Sequence, residues 1–168
     1  MLIRRSKLAE AEPLLREAID LRTRASGRKC AENATPLGNL ALVRQGLGDF
    51  RDAASLLEEV LAIQQVTEPK GFGILGTRNK LANLLIAGGG AYDRALSLHT
   101  QNVADVRSML GPEHPFVALA INNLAHAEDE AGRRAEAQGH YQEALALQRK
   151  IYGGPHPEIA LVLNNLSV

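Results

Sequence analysis

Leu110–Tyr152 reads LGPEHPFVALAINNLAHAEDEAGRRAEAQGHYQEALALQRKIY, and its landmarks recur elsewhere in the chain at a fixed distance. They are Gly111, Pro115, Asn122-Asn123-Leu124, Gly132, Glu136-Ala137 and Ala144-Leu145. Forty-two residues later stand Gly153, Pro157 and Asn164-Asn165-Leu166. Eighty-four residues earlier stand Gly27, Asn39-Leu40-Ala41, Gly48, Asp52-Ala53 and Val60-Leu61. The chain is therefore a tandem array, the mark of supersecondary units that bury their apolar faces on one another.

Apolar residues spaced by three and four make each unit helical. From Lys7 to Arg24 they are Leu8, Ala11, Leu14-Leu15, Ala18-Ile19 and Leu21. Pro13 breaks the run, which predicts either a kink or a helix that begins near Glu12 with proline in its first turn. Helices are predicted from about Ala34 to Gln45, Phe50 to Val66, Ile74 to Ala87, Tyr92 to Leu110, Pro115 to Ala131, Arg134 to Tyr152 and from Pro157 onward. Gly46 and Gly48 stop the second, and Asp49 is positioned to cap the third. No segment alternates with period two for long enough to argue a strand.

Paired helices of this kind each carry one apolar stripe, so neighbouring hairpins must stack to bury it. In the first helix of a pair an aliphatic precedes Leu-Ala or Leu-Ser: Leu37 before Leu40-Ala41, Ile121 before Leu124-Ala125, Leu163 before Leu166-Ser167. In the second helix two alanines lie seven apart with a bulky residue between them: Ala11, Leu15 and Ala18, then Ala137, Tyr141 and Ala144. Together with Leu110 to Pro115 and its echo from Gly153 to Pro157, this pattern resembles the tetratricopeptide repeat. The 42-residue period is similar to that of kinesin light chains and related proteins. HEAT and armadillo arrays have similar periods, but the glycine turn and paired alanines suit them less well.

The resemblance implies an all-α fold, a right-handed α-α superhelix of about seven helices built as a single array over residues 1–168. Residues 6–26 are expected as the second helix of a partial repeat, 34–67, 74–110 and 115–152 as whole repeats, and 157–168 as the first helix of another. Two departures stand out. Leu81-Ala82 lies 43 residues before Leu124-Ala125 while Ala95 lies 42 before Ala137, so Gly88-Gly89-Gly90 holds one extra residue. The loop from Glu68 to Gly73 lacks the Gly-x-x-His-Pro sequence.

Composition narrows the function. Nineteen Lys and Arg balance nineteen Asp and Glu, and three Phe, three Tyr and no Trp leave little to stack on bases, so nucleic acid is not an expected partner. The basic residues Arg4, Arg5, Arg22, Arg24, Arg28 and Lys29 read as a solvated face and loop. No apolar run reaches the ~20 residues of a membrane span. Cys30 is the one cysteine, which excludes an intrachain disulfide and fits a reducing, cytoplasmic setting. None of the five histidines has a close partner at metal-ligand spacing, and His114 and His156 read as loop residues before helix starts. No phosphate loop, dinucleotide fingerprint or nucleophile motif is present. Neither an enzymatic activity nor a cofactor or metal is expected.

In the family the first helix of each pair lines a concave groove. The resemblance places there Thr35, Gly38, Leu42 and Gln45; Asn79, Asn83 and Ile86; Leu119, Asn122, His126, Asp129 and Glu130; and Leu161 and Asn164. A carboxamide can accept from a peptide N–H and donate to a peptide C=O, so recurring asparagines suit an extended ligand of any sequence. Two roles stay open to Asn79, Asn122 and Asn164: holding a peptide, or tying adjacent first helices together. Asn123 and Asn165 read as packing residues. The expected function is a non-catalytic protein interaction module with Asn79, Asn83, Asn122, His126, Asp129 and Asn164 in its groove. The alternative is a structural or oligomerisation scaffold within a larger signalling protein. Apolar faces at the two ends, Leu14, Ala18 and Leu21 against Leu161, Leu163 and Leu166, predict head-to-tail self-association.

Overall fold

The computed structural model describes residues 2–69 and 71–166, with side chains from residue 7 onward. Among these residues there are eight α-helices, one short 3₁₀ turn and no strand. Each of the eight helical stretches read from the sequence is present, one more than the round figure of about seven. The chain divides into two compact units, Met1–Gly89 and Gly90–Val168, and the division falls within the glycine run.

The first unit holds α1 (Leu2–Ser26), the 3₁₀ turn Ala31–Asn33, α2 (Ala34–Leu47), α3 (Phe50–Thr67) and α4 (Phe72–Ala87). Each helix packs on the next in sequence. Pro13 lies inside α1, so the helix does not begin near Glu12. The stripes of three helices meet in a core of Ile19, Leu37, Leu40, Val60 and Ile63, each at most 4% exposed, flanked by Leu15, Ala34 and Leu56. Burying side chains of this size contributes roughly 1.5–3 kcal/mol each. Asn33, fully buried, donates to the Gly27 and Arg28 carbonyls and so holds the α1–α2 loop.

The second unit holds α5 (Tyr92–Leu110), α6 (Pro115–Glu130), α7 (Arg134–Tyr152) and α8 (Pro157–Leu166), again packed in sequence order. In this unit the expected small positions lie where helices close on one another: Ala125 and Ala144 are fully buried and Ala137 nearly so, with Tyr141 between the last two also buried, whereas Ala11 and Ala18 of α1 are half-buried. Leu81 and Ala82 of α4 are also fully buried. The register of the apolar stripe thus holds on both sides of the extra glycine.

The repeated glycines are explained at the turns α2–α3 and α6–α7. Gly48 (φ 93°) donates to the Gln45 carbonyl and Asp49 to that of Arg44; Gly132 (φ 75°) donates to Asp129 and Arg133 to Glu128. These paired bonds satisfy carbonyls that a helix end otherwise leaves open, and they require the left-handed backbone that glycine adopts without strain. Asp49 does not cap α3 with its side chain, contrary to expectation. Its carboxylate is drawn instead to Arg44, which also reaches Asp52 at 2.7 Å and Glu12 of α1 at 3.4 Å. An ion pair within reach of three carboxylates outcompetes a single backbone N–H.

A Cβ at position 132 meets no atom within 4 Å, so a substitution there tests backbone conformation alone. Gly132→Ala is expected to lower stability by about 1–2 kcal/mol and Gly132→Asn by clearly less. Urea unfolding checks this, and an alanine variant as stable as the parent contradicts it.

Candidate functional site

In the first unit α2 and α4 flank α3 and leave a cleft of about 390 Å³ between them. Three of the positions expected to face a groove, Thr35, Gly38 and Leu42, line it from α2. Phe72, Gly76, Thr77 and Lys80 line it from α4, and Leu57, Val60 and Gln64 from α3 below. Its apolar rim is open to solvent, with Leu42 48% and Phe72 56% exposed. The Gln64 Oε1 atom is buried without a hydrogen-bond partner. Of the two asparagines expected here, Asn83 is exposed and Asn79 is half-buried with a polar contact of its own. Neither lines the cleft.

In the second unit the expected residues part company. Asn122 is buried, and its Oδ1 accepts from the Asn165 side chain at 3.0 Å, which ties α6 to α8. His126, Asp129 and Asn164 do not share its place: His126 is exposed, Asp129 is set at the α6–α7 turn, and Asn164 is exposed on α8. Asp129 lies beside Arg134, Gln138, Tyr141 and Asn165 in a cleft of about 240 Å³. Burial, then the carboxylates of Asp129, Glu130 and Glu128, push the Tyr141 hydroxyl up to about 12, so it stays protonated there. Glu128, itself buried, meets His140 Nδ1 at 2.7 Å and links α6 to α7.

Several residues acquire roles that periodicity alone did not disclose. His114 Nδ1 accepts from the Phe116 N–H and His156 Nδ1 from the Glu158 N–H, both at 3.2 Å. Each ring satisfies a free donor at the start of a helix beginning with proline. Their shared register was the available signal. His99 stands at the register position of Tyr141 in α7, and it is 1% exposed with Nε2 unpartnered. Among the described residues no three His, Cys, Asp or Glu side chains come together as a metal site. No helix among them is long and apolar enough to cross a membrane.

The tetratricopeptide repeat family profile matches residues 1–65, 73–150 and 119–168. The chain belongs to the tetratricopeptide repeat family. Among solved structures, a Podosopora anserina protein described as a kinesin light chain with nearly identical TPR-like repeats is similar at 26% identity. The match has a TM-score of 0.84 over 98% of this chain and 78% of that one. A singly substituted form of the same protein is similar at 27% identity and a TM-score of 0.79, over 89% of this chain and 70% of that one. BtubC (BKLC) from P. vanneervenii shares 29% identity with a TM-score of 0.69, over 95% of this chain and 62% of that one. No curated protein matches. The chain is thus an all-α tetratricopeptide solenoid of the kinesin-light-chain-like kind, a fold that serves in general as a protein interaction scaffold.

His99 couples this architecture to pH. Burial, with a smaller contribution from His126, lowers its pKa from 6.5 to about 4. Between these values the unfolded chain takes up a proton that the folded chain refuses. The contribution of His99 to stability is therefore fully present above about pH 6.5 and is expected to fall by up to about 1.4 kcal/mol per pH unit as pH drops towards 4. Urea unfolding at pH 7 and pH 5 of the parent and of His99→Tyr, which supplies the residue of the equivalent α7 position, checks this. Equal losses in the two proteins contradict it.

Proposed function

We propose that the chain is a non-catalytic interaction module that holds an extended peptide segment of a partner protein against the first helices of its repeats. The observation that carries this reading is the open cleft between α2 and α4, lined by Thr35, Gly38 and Leu42, three positions that the family pattern assigns to the ligand-facing side. An apolar floor with a few polar groups at its edge suits a peptide side chain. Gln64 borders the cleft from α3 and adds a carboxamide to its lining. On the first unit Asn83 offers a further exposed carboxamide to a ligand, and on the second unit, taken by itself, His126, Asp129 and Asn164 are exposed polar groups that we assign to the ligand-facing side. Asn79, Asn122 and Asn164 each already engage a partner within the chain, so the architecture has a first claim on them. A cytoplasmic setting, with no catalytic role or cofactor, fits this reading.

The scaffold alternative is favoured by one observation, the Asn122–Asn165 tie, which commits a groove-side asparagine to repeat packing. The two readings separate on mutation. Peptides selected from a displayed random library are expected to bind Asn83→Ala protein about tenfold more weakly with its thermal midpoint unchanged. Asn122→Ala is expected to lose roughly 1–2 kcal/mol of stability, because the Asn165 amide loses its acceptor. Undiminished peptide affinity in Asn83→Ala overturns the assignment of that asparagine to the ligand. Failure to select any peptide favours the scaffold.

A further inference from the structure

The repeat register singles out a cleft at the α6–α7 turn of the second unit. Arg134 and Gln138 of α7 correspond to Phe50 and Ala54 in α3, eighty-four residues earlier, and to Tyr92 and Leu96 in α5, forty-two earlier. Ala54 and Leu96 are buried, whereas Gln138 is exposed and lines the cleft with Arg134. Asp129, near the end of α6, likewise stands where α2 has Gln45 and where α4 has Ile86 once the extra glycine is counted. One repeat has exchanged aromatic and aliphatic side chains for an acid, a base and an amide around a space of about 240 Å³.

The polar groups there are uncommitted. Among the described residues neither the Asp129 carboxylate nor the Arg134 guanidinium forms an ion pair or a side-chain hydrogen bond, although they line one small space. Tyr141 lines it too at only 4% exposure, and its hydroxyl, which stays protonated, has no hydrogen-bond partner among those residues. The charge that acts on this hydroxyl most strongly is that of Asp129, which puts carboxylate and hydroxyl on the same side of the cleft. Asn165 donates its amide to Asn122 Oδ1 at 3.0 Å, which fixes the carboxamide and leaves its own Oδ1 to accept. Ala137 and Leu166 supply an apolar wall.

We infer that this cleft binds a small zwitterion, an α-amino acid with a short aliphatic side chain, its ammonium at Asp129 and Asn165 and its carboxylate at Arg134 and Gln138. The site lies within the second unit and does not rest on the peptide reading of the α2–α4 cleft. An ammonium only donates, and the Asp129 carboxylate and Asn165 Oδ1 accept; a carboxylate only accepts, and the Arg134 guanidinium and Gln138 amide donate. The Tyr141 hydroxyl accepts from the ammonium on the Asp129 side. The aliphatic group lies along Ala137 and Leu166. The volume falls below the roughly 300–1,000 Å³ of drug-sized sites, which suits a ligand of amino-acid size. A ligand that has lost either charge leaves one protein charge covered and unmatched, so the pair of charges selects for the zwitterion.

The test is amide chemical-shift titration of the isotope-labelled 168-residue chain with L-valine and L-leucine, and with valinamide and N-acetylvaline, which each lack one charge. Saturable shifts at Asp129, Arg134, Gln138 and Asn165 are expected with the free amino acids, and binding about tenfold weaker or worse with each derivative. Asp129→Asn and Arg134→Gln, both at exposed positions, are each expected to weaken L-valine by about tenfold with the thermal midpoint unchanged. No saturable shift at these four residues up to the solubility of either amino acid overturns the site. Valinamide binding as tightly as L-valine, the behaviour of a simple cation site, overturns the zwitterion assignment, and so does equal binding of N-acetylvaline. Undiminished L-valine affinity in both variants overturns the roles given to the two charges.

Discussion

Every helix described in this chain buries apolar side chains that only a neighbouring helix can cover. That constraint generates the rest. A stripe buried on one side by its hairpin partner and on the other by the next repeat demands small residues where backbones approach, which is why Ala53, Ala95, Ala137 and Ala144 are all at most 2% exposed. It also demands that the chain reverse sharply after each first helix without leaving carbonyls unsatisfied. Gly48 and Gly132 do this with the same pair of backbone bonds, eighty-four residues apart. Stability in such an array is carried by contacts between neighbours, so the surface not needed for stacking is free to vary.

The polar groups that are drawn inward serve the same stacking. Arg44 of α2 and Glu128 of α6 share one register position and carry opposite charges. The former binds carboxylates of α1, the α2–α3 turn and α3, and the latter binds His140 of α7. In both units a charged residue on the first helix of a pair is fixed to the helix after it. Asn122 and Asn165 add a carboxamide tie between first helices. Between α2 and α4 the first unit opens a cleft.

Much of this was legible in the sequence, because periodicity reports directly on which residues face a neighbour. The helix boundaries Tyr92–Leu110 and Arg134–Tyr152 match the expectation residue for residue, and the extra glycine in the Gly88 to Gly90 run was read from register alone. Competition between polar groups was less legible. Asp49 has the residue type and place of a cap, yet Arg44 takes its carboxylate, and nothing local to Asp49 discloses the geometry of an arginine five residues before it. Asn122 has the chemistry of a ligand-binding carboxamide, but its partner lies 43 residues away. The cleft was half visible: Thr35, Gly38 and Leu42 followed from the family pattern, whereas Gln64 comes from α3 and Phe72 from the first residue of α4, positions that the pattern does not index.

The central claim, that ligand recognition belongs to the first-helix side of the repeats, is tested most directly by amide chemical-shift mapping with a selected peptide on the isotope-labelled chain. Shifts concentrated at Thr35, Gly38, Leu42, Gly76 and Lys80 are the result this account predicts. Shifts concentrated instead at Ser55, Glu58 and Ala62, which line a separate cleft with Arg28 and Lys29, would contradict it.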